Sequence, residues 1–173
     1  MTSFQLHIRA ETLQDDDAIE QLTAQAFGPG RFSRTAFRLR EGVEHEHALS
    51  FVAIMEKLDG GGKELVGSVR LTRVLIGEEP ALVLGPLVVA RARKNLGIGR
   101  ELMHRSLAEA RERGDRFVIL VGDHPYYAKF GFHPVPRGRI TLPGPVDPDR
   151  LLYCALEAGI EARYSGQTRR FVQ

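Results

Sequence analysis

The sequence predicts an α/β protein built on one mixed β-sheet. Runs of alternating or continuous apolar residues mark about seven strands, and apolar residues at helical spacing mark about four helices between them. Two neighbouring strands are joined by a short glycine-rich link, which is typical of an antiparallel hairpin. A short and almost wholly apolar strand follows a long helix, which is typical of a parallel strand. The sheet is therefore expected to combine both strand directions.

The predicted elements follow one another along the whole chain. Thr12 is the expected cap of the first helix, and Gly28-Pro29-Gly30 is expected to end it. The predicted strands span residues 4–9, 49–58, 64–76, 81–90, 117–121, 132–135 and 151–157. The predicted helices span residues 12–27, 31–41 and 97–113, and a helical turn near Asp123 would be the fourth.

Gly85 and Pro86 interrupt the predicted strand 81–90. Proline cannot donate a hydrogen bond to a sheet ladder, so the strand is expected to break or bulge at this point. Such a break would splay the strand away from its neighbour. A simple bulge at the edge of the sheet is the alternative interpretation.

Composition is that of an ordinary globular protein. The chain has 173 residues, of which 43% are hydrophobic and 27% are charged, and this is enough for a sizeable core. We expect one domain over residues 1–173, with a polar C-terminal tail over about 163–173. A net charge of +2 is too small to indicate a nucleic-acid partner.

The sequence also favours a cytoplasmic protein that does not enter a membrane. No apolar stretch approaches the length of a membrane span, and the first residues lack the pattern of a leader peptide. Cys154 is the single cysteine and stands in an apolar strand, which suits a reducing compartment and an inert buried thiol.

A glycine loop between a strand and a helix is the most informative segment. Gly97 and Gly99 stand where the helix begins, and without a Cβ they let a ligand approach the backbone closely. The first amides of a helix have no helical partner and favour an anion, as does the helix dipole. Arg93, Lys94 and Arg100 add positive charge. The loop is therefore expected to bind phosphate.

A dinucleotide-binding loop is the competing interpretation of these glycines. Its fingerprint Gly-x-Gly-x-x-Gly would require a third glycine where Leu102 stands. Too little chain also follows Gly99 to build the rest of a dinucleotide-binding sheet. We therefore favour a phosphate loop of another kind.

A second motif follows further along the chain, where Tyr126 and Tyr127 precede a Phe130-Gly131-Phe132 turn. Together, and in this order, the two motifs resemble the GNAT superfamily of N-acetyltransferases. That family has a Gln/Arg-x-x-Gly-x-Gly/Ala signature followed by an aromatic-Tyr-x-x-x-Gly-Phe segment. The chain departs from the signature at Lys94, where lysine keeps the positive charge but not the planar fork of arginine.

This resemblance implies a GNAT-type fold, in which a mixed sheet splays at its middle and holds the pantetheine arm in the gap. It implies acetyl-CoA as the acyl donor, no metal, and a small-molecule or peptide amine as the acceptor in a ternary complex. The positions expected to bind the cofactor are Leu87, Val88, Val89, Lys94, Asn95, Leu96, Gly97, Ile98, Gly99, Arg100, Asp123 and Tyr127.

The resemblance also assigns roles at the thioester. Tyr127 is the expected acid that protonates the departing thiolate, because a phenol with a pKa of about 10 is protonated at neutral pH. Tyr126 is the alternative acid, and simple packing of both rings is a third interpretation. The backbone amide of Val88 is expected to polarise the thioester carbonyl. Asp123 stands where relatives carry an asparagine that bonds pantetheine, and a helix cap is its alternative role.

The residue that deprotonates the amine is not identifiable from the sequence. The region that lines the acceptor site in relatives corresponds here to the aromatic and basic residues 27–40 and to the polar residues Glu41, Glu44, His45, Glu46 and His47. His45 and His47 also suggest a metal site, but with no third ligand in view a solvated loop is the favoured interpretation.

Two other functions compete with catalysis. One is a non-catalytic acyl-CoA-binding module that regulates a partner, against which the retention of Tyr127 argues. The other is nucleic-acid binding, but the arginines of helix 97–113 do not form a single stripe. A homodimer formed through the last strands is compatible with such folds.

Overall fold

A mixed sheet forms the centre of the protein in the computed structural model, which describes residues 3–28 and 35–172. Over these residues it has nine strands: β1 (Phe4–Ala10), β2 (Phe51–Lys57), β3 (Lys63–Ile76), β4 (Glu79–Val89), β5 (Phe117–Val121), β6 (His133–Pro134), β7 (Ile140–Thr141), β8 (Leu151–Ala155) and β9 (Gly166–Arg170). The helices in the same ranges are α1 (Asp16–Phe27), α2 (Thr35–Arg40), α3 (Ile98–Glu112) and α4 (His124–Tyr127).

The main path of the sheet runs in the order β1-β2-β3-β4-β5-β8-β6. Strands β1 to β4 pair antiparallel, β4 and β5 pair parallel, and β8 pairs antiparallel with both β5 and β6. The predicted mixed α/β sheet and the predicted hairpin of β2 and β3 are therefore confirmed. Leu49, which was predicted to lie in β2, belongs instead to a 3-10 turn over His47–Leu49.

Two short strands were not predicted. The segment predicted to be a polar C-terminal tail contains β9, which pairs with β3 at Val74–Ile76 and with β7. In β9 only Thr168 is buried, and its neighbours are exposed polar residues. A strand with one buried position has no apolar alternation, so its sequence pattern resembles that of a tail. Helix α2 begins at Thr35, and the first residues of the predicted helix 31–41 lie outside the described ranges.

The sheet splays between β4 and β5, as predicted from Gly85 and Pro86. The two strands pair only through Leu82 with Val118 and Val83 with Ile119. Beyond these pairs the ladder between β3 and β4 shifts register, between Val69 and Leu71. The gap that opens is lined on the β4 side by residues 84–87 and on the β5 side by residues 120–123.

Helix α3 lies across one face of the sheet and fixes the loop that precedes it. Its buried residues are Ile98, Leu102, Met103, Ser106, Leu107 and Ala110. Gly67 of β3 lies beneath its first turn, where an added Cβ would stand 2.9 Å from Ile98 and 3.0 Å from Leu102. Because a glycine allows this close contact, the N-terminus of α3 is held tightly against the sheet.

The opposite face carries a second apolar cluster. Phe117 stacks on Tyr153 and Tyr164, with ring centroids 5.4 Å and 4.0 Å away. The hydroxyl group of Tyr164 donates to the carbonyl of Pro80 at 2.9 Å. These contacts attach the C-terminal segment to the start of β4. Among the described helices, none is both long and apolar enough to cross a bilayer.

Candidate active site

A cradle of backbone amides forms where β4 leads into α3. Asn95 and Gly97 have positive φ values of 68° and 79°, which turn the chain sharply before the helix. The first helical hydrogen bond runs from the amide of Glu101 to the carbonyl of Gly97, at 3.1 Å. The amides of residues 98–100 precede this bond and so have no helical partner. The predicted glycine loop therefore has the geometry of an anion site.

The cradle opens into a cavity of about 1090 Å³, here called the cationic cavity. Arg91, Arg93, Lys94, Arg100 and Lys129 line it, and no described lining residue is acidic. The remaining walls are the end of β4 and one face of α1. Five cations around a helix N-terminus give this cavity a strong preference for an anionic ligand.

Tyr126 lies over the cradle. A Cβ added to Gly99 would stand 2.7 Å from the Tyr126 hydroxyl group, so the loop can approach this phenol only because Gly99 has no side chain. Lys129 Nζ lies 4.5 Å from the centre of the Tyr126 ring. Burial raises the pKa of Tyr126. The phenol therefore stands at the phosphate-binding end, as a neutral hydrogen-bonding group.

Tyr127 faces the splayed gap instead. It ends α4, and its ring packs so closely on Gly122 that a Cβ there would overlap the ring. The ring also meets Tyr126 edge-on, with centroids 4.9 Å apart. Burial, together with the nearby Tyr126 and Asp123, raises the pKa of Tyr127 to about 12. Its hydroxyl group therefore stays protonated at physiological pH and is able to donate a proton.

A second cavity of about 870 Å³ includes the gap and is here called the mixed cavity. Its lining includes Tyr127 and charged residues of both signs that come from separate segments of the chain: Glu20, Arg40, Arg70, Asp123, Asp147 and Arg150. It shares Phe27, Leu87 and Tyr126 with the cationic cavity. The two cavities therefore meet at the exposed edge of β4.

The sheet register corrects the role predicted for Val88. Val88 lies opposite Ser68 of β3, and the amide of Ala90 donates to the carbonyl of Val66 at 2.8 Å. Hydrogen-bonded pairs alternate along an antiparallel ladder, so the Val88 amide also points towards β3. It is not free to polarise a carbonyl in the gap. The amides that face the gap are those of Leu87 and Val89.

The structure also places the other predicted residues. Lys94 to Arg100 all line the cationic cavity, together with Leu87, Val88 and Val89. Asp123 lines the mixed cavity, and its carboxylate lies 3.4 Å from Arg150 Nε. Asp123 occupies the N-cap position of α4, as the helix-cap interpretation predicted, but its side chain makes no capping hydrogen bond within the described residues.

The loop that carries His45 and His47 was expected to be solvated, but it is folded against the end of β1. The side chains of His45 and His47 are 17% and 30% exposed, and Glu11, which follows β1, contacts both. Burial and the charge of Arg70 lower the pKa of His45 to about 4, while burial raises the pKa of Glu11. Sequence analysis missed Glu11 because it lies far from the two histidines along the chain.

A family comparison and solved structures agree with this geometry. The model of the acetyltransferase (GNAT) family matches residues 16–132. A GNAT family acetyltransferase from Brucella melitensis, solved in complex with acetyl-CoA, is 32% identical with a TM-score of 0.58, over 89% of this chain and 97% of that chain.

Two solved structures with lower sequence identity share the fold. The GNAT family N-acetyltransferase YhbS from Escherichia coli, solved in complex with CoA, has a TM-score of 0.77 and 21% identity, over 98% of this chain and 91% of that one. A GNAT family acetyltransferase from Staphylococcus aureus Mu50 has a TM-score of 0.62 and 16% identity, over 88% of this chain and 100% of that one. No curated protein matches by sequence. The family match and the Brucella structure show that the chain belongs to the GNAT acetyltransferase family.

Proposed function

We propose that this protein is an acetyl-CoA-dependent N-acetyltransferase that acetylates a primary amine by direct attack in a ternary complex. The observation that carries the proposal is the meeting of the two cavities at the open edge of β4, beside Tyr126 and Tyr127. The cationic cavity suits the anionic donor, and the mixed cavity is left for the acceptor. The CoA and acetyl-CoA held by the Escherichia coli and Brucella proteins support this choice of donor.

The cationic cavity would hold the donor through its pyrophosphate. The amides of residues 95–100 would surround the phosphate oxygens, with Lys94 and Arg100 adding charge. The pantetheine arm carries amide groups of its own, and these match the open backbone edge at Leu87 and Val89. The arm would then lie along β4 much as an added strand would.

The Leu87 amide is the best-placed group to polarise the thioester carbonyl. Of the two amides that face the gap, only Leu87 belongs to a residue that lines both cavities. The thioester must lie where both cavities meet, because the acceptor amine has to reach it. A fixed backbone donor to the developing oxyanion is worth about 3 kcal/mol in enzymes that rely on one.

The chemical step then needs one proton donor. The neutral amine nitrogen attacks the carbonyl carbon, the C–S bond breaks, and Tyr127 gives its proton to the leaving thiolate. The amine loses its proton to solvent or to a base in the mixed cavity. The raised pKa of Tyr127 keeps its hydroxyl group protonated before the step. Solvent returns the proton to Tyr127 afterwards.

The experiment is acetyl-CoA binding by calorimetry together with release of free thiol across a library of amines. Donor binding is expected in the wild type and in Tyr127→Phe, with thiol release about 10²-fold slower in the variant. Tyr153→Phe is the matched control, because Tyr153 stacks on Phe117 away from the gap. Binding without thiol release for any amine would favour the non-catalytic regulatory module, and absence of binding would refute both.

A further inference from the structure

Three potential metal ligands meet beside the mixed cavity. Glu11 Oε1, His45 Nε2 and His47 Nδ1 all lie within 4.8 Å of one another. The Glu11 oxygen contacts His45 and lies 3.3 Å from His47 Nδ1. All three atoms are buried, and none makes a hydrogen bond with the described part of the chain. Buried polar atoms are almost always hydrogen-bonded, so three that face one another without a hydrogen bond require an explanation.

In two of these side chains, His47 and Glu11, the other polar atom already has a partner. The second nitrogen of His47, Nε2, lies 3.0 Å from a carboxylate oxygen of Glu44. When Nε2 donates to that carboxylate, Nδ1 keeps a lone pair that faces the group. An imidazole that donates its outer N–H to a carboxylate is the usual arrangement of a metal-binding histidine. Arg70 Nε donates to the other Glu11 oxygen at 3.2 Å, which leaves Oε1 for the group.

The backbone around the group is held from two sides. The amide of Glu11 donates to the carbonyl of Ser50 at 2.9 Å, and the amide of Glu46 donates to the carbonyl of Leu71 at 2.8 Å. The Ser50 hydroxyl donates to the carbonyl of Glu46 at 2.8 Å. The end of β1, the loop with the histidines and β3 are therefore tied together. The three ligand atoms converge on a framework that is fixed without any ion.

We propose that Glu11, His45 and His47 bind a divalent transition-metal ion, with Zn²⁺ as the ion best matched. Two imidazole nitrogens and one carboxylate oxygen form a donor set that suits Zn²⁺, whereas Mg²⁺ and Ca²⁺ prefer oxygen ligands alone. Arg70 places a positive charge nearby, but that charge is shared with Asp16, 3.1 Å away. His45 also lines the mixed cavity, so the proposed ion would lie beside that cavity.

The argument for this site does not rest on the proposed acetyl transfer. The ion would add a further link between the segment after β1 and the loop after α2, beside one wall of the mixed cavity. The sequence alone favoured a solvated loop here because Glu11, the third ligand, is supplied by another segment of the fold.

Metal binding to the full chain, freed of any histidine tag and stripped with a chelator, tests the proposal. Zn²⁺ binding is followed by competition with a chromophoric chelator, and the coordination by the visible spectrum of the Co²⁺-loaded protein. We expect one Zn²⁺ per chain, and at least tenfold weaker binding in His47→Ala and in His45→Ala. Mg²⁺ should not compete.

His7→Ala is the matched control, because His7 forms a partly exposed histidine–carboxylate pair with Glu56, at 3.1 Å, that includes none of the three proposed ligands. Its Zn²⁺ affinity should equal that of the wild type. Circular dichroism confirms that the His47→Ala protein is folded, since this side chain is the most exposed of the three. No stoichiometric Zn²⁺ in the wild type, equal loss in His7→Ala, or unchanged affinity in both His45→Ala and His47→Ala would overturn the proposal.

Discussion

The hydroxyl group of Tyr126 lies over Gly99, 2.7 Å from the position that a Cβ on this glycine would take. This contact connects the two motifs that stand far apart in the sequence, one at the start of α3 and the other in α4. Tyr126 lines both cavities, so it borders the junction between them. The Gly99–Tyr126 contact therefore sets the width of the passage between the cavities.

Gly99→Ala should weaken donor binding without unfolding the protein. The new methyl group would collide with the Tyr126 hydroxyl and push the ring into the passage, while alanine is itself a better helix former than glycine. We expect the Kd for acetyl-CoA to rise about tenfold, equivalent to about 1.4 kcal/mol, with no fall in melting temperature. Calorimetry and thermal unfolding measure the two effects separately.

Gly61→Ala is the matched control for this substitution, because Gly61 lies in the distant turn between β2 and β3 and meets only flexible side-chain atoms there. Its Kd should equal that of the wild type. Unchanged affinity in Gly99→Ala would mean that the donor does not pass beneath Tyr126.

Much of this fold could be predicted from the sequence, because local patterns carry it. The glycine loop, the hairpin and the splay at Gly85 and Pro86 each depend on neighbours within a few residues. The orientation of the Val88 amide could not be predicted in the same way. It depends on which residue of β3 lies opposite, and a shift of one residue reverses every amide along the strand. The cluster of Glu11, His45 and His47 could not be predicted for a related reason, because only the tertiary fold brings these residues together.

Replacing single backbone amides by esters distinguishes Leu87 from Val88. An ester at Leu87 removes an N–H that faces the gap, so kcat should fall about 10²-fold while stability is unchanged. An ester at Val88 removes a ladder hydrogen bond to β3, so it should cost about 1 kcal/mol of unfolding free energy and leave kcat intact. Semisynthesis gives both proteins, and each serves as the control for the other. The reverse pattern would restore Val88 as the oxyanion donor.

Asp15 is expected to stabilise the folded state at neutral pH and to lose this effect at acidic pH. The hydrogen bond from Arg9, at 2.7 Å, outweighs burial and lowers the pKa of this carboxyl group. A carboxyl group with a lowered pKa in the folded state contributes stability that is fully present above its unfolded value, about 3.9. That contribution is lost as the pH falls through the folded value.

Asp15→Asn should therefore lower the free energy of unfolding at pH 7 by about 1 kcal/mol, with a shrinking difference from the wild type below about pH 4. Urea unfolding across this pH range measures the difference. Asp17→Asn is the control, since Asp17 lies in the first turn of α1, close to the N-cap residue Asp15, but is exposed. A difference that stays constant with pH would show that the Asp15 charge is not the stabilising feature.

The pH dependence of turnover tests Tyr127 as the acid. Burial first, and then Tyr126 and Asp123, raise the pKa of Tyr127 to about 12, while Arg150 opposes them. An acid works only while protonated, so kcat should rise as the amine loses its proton and should show no falling limb up to about pH 10. An ordinary phenol, with a pKa of about 10, would already be half ionised there. Tyr153→Phe, as control, should keep the same shape of pH profile, because Tyr153 stacks on Phe117 away from the gap. A falling limb near pH 9 in the wild type would contradict a buried tyrosine acid.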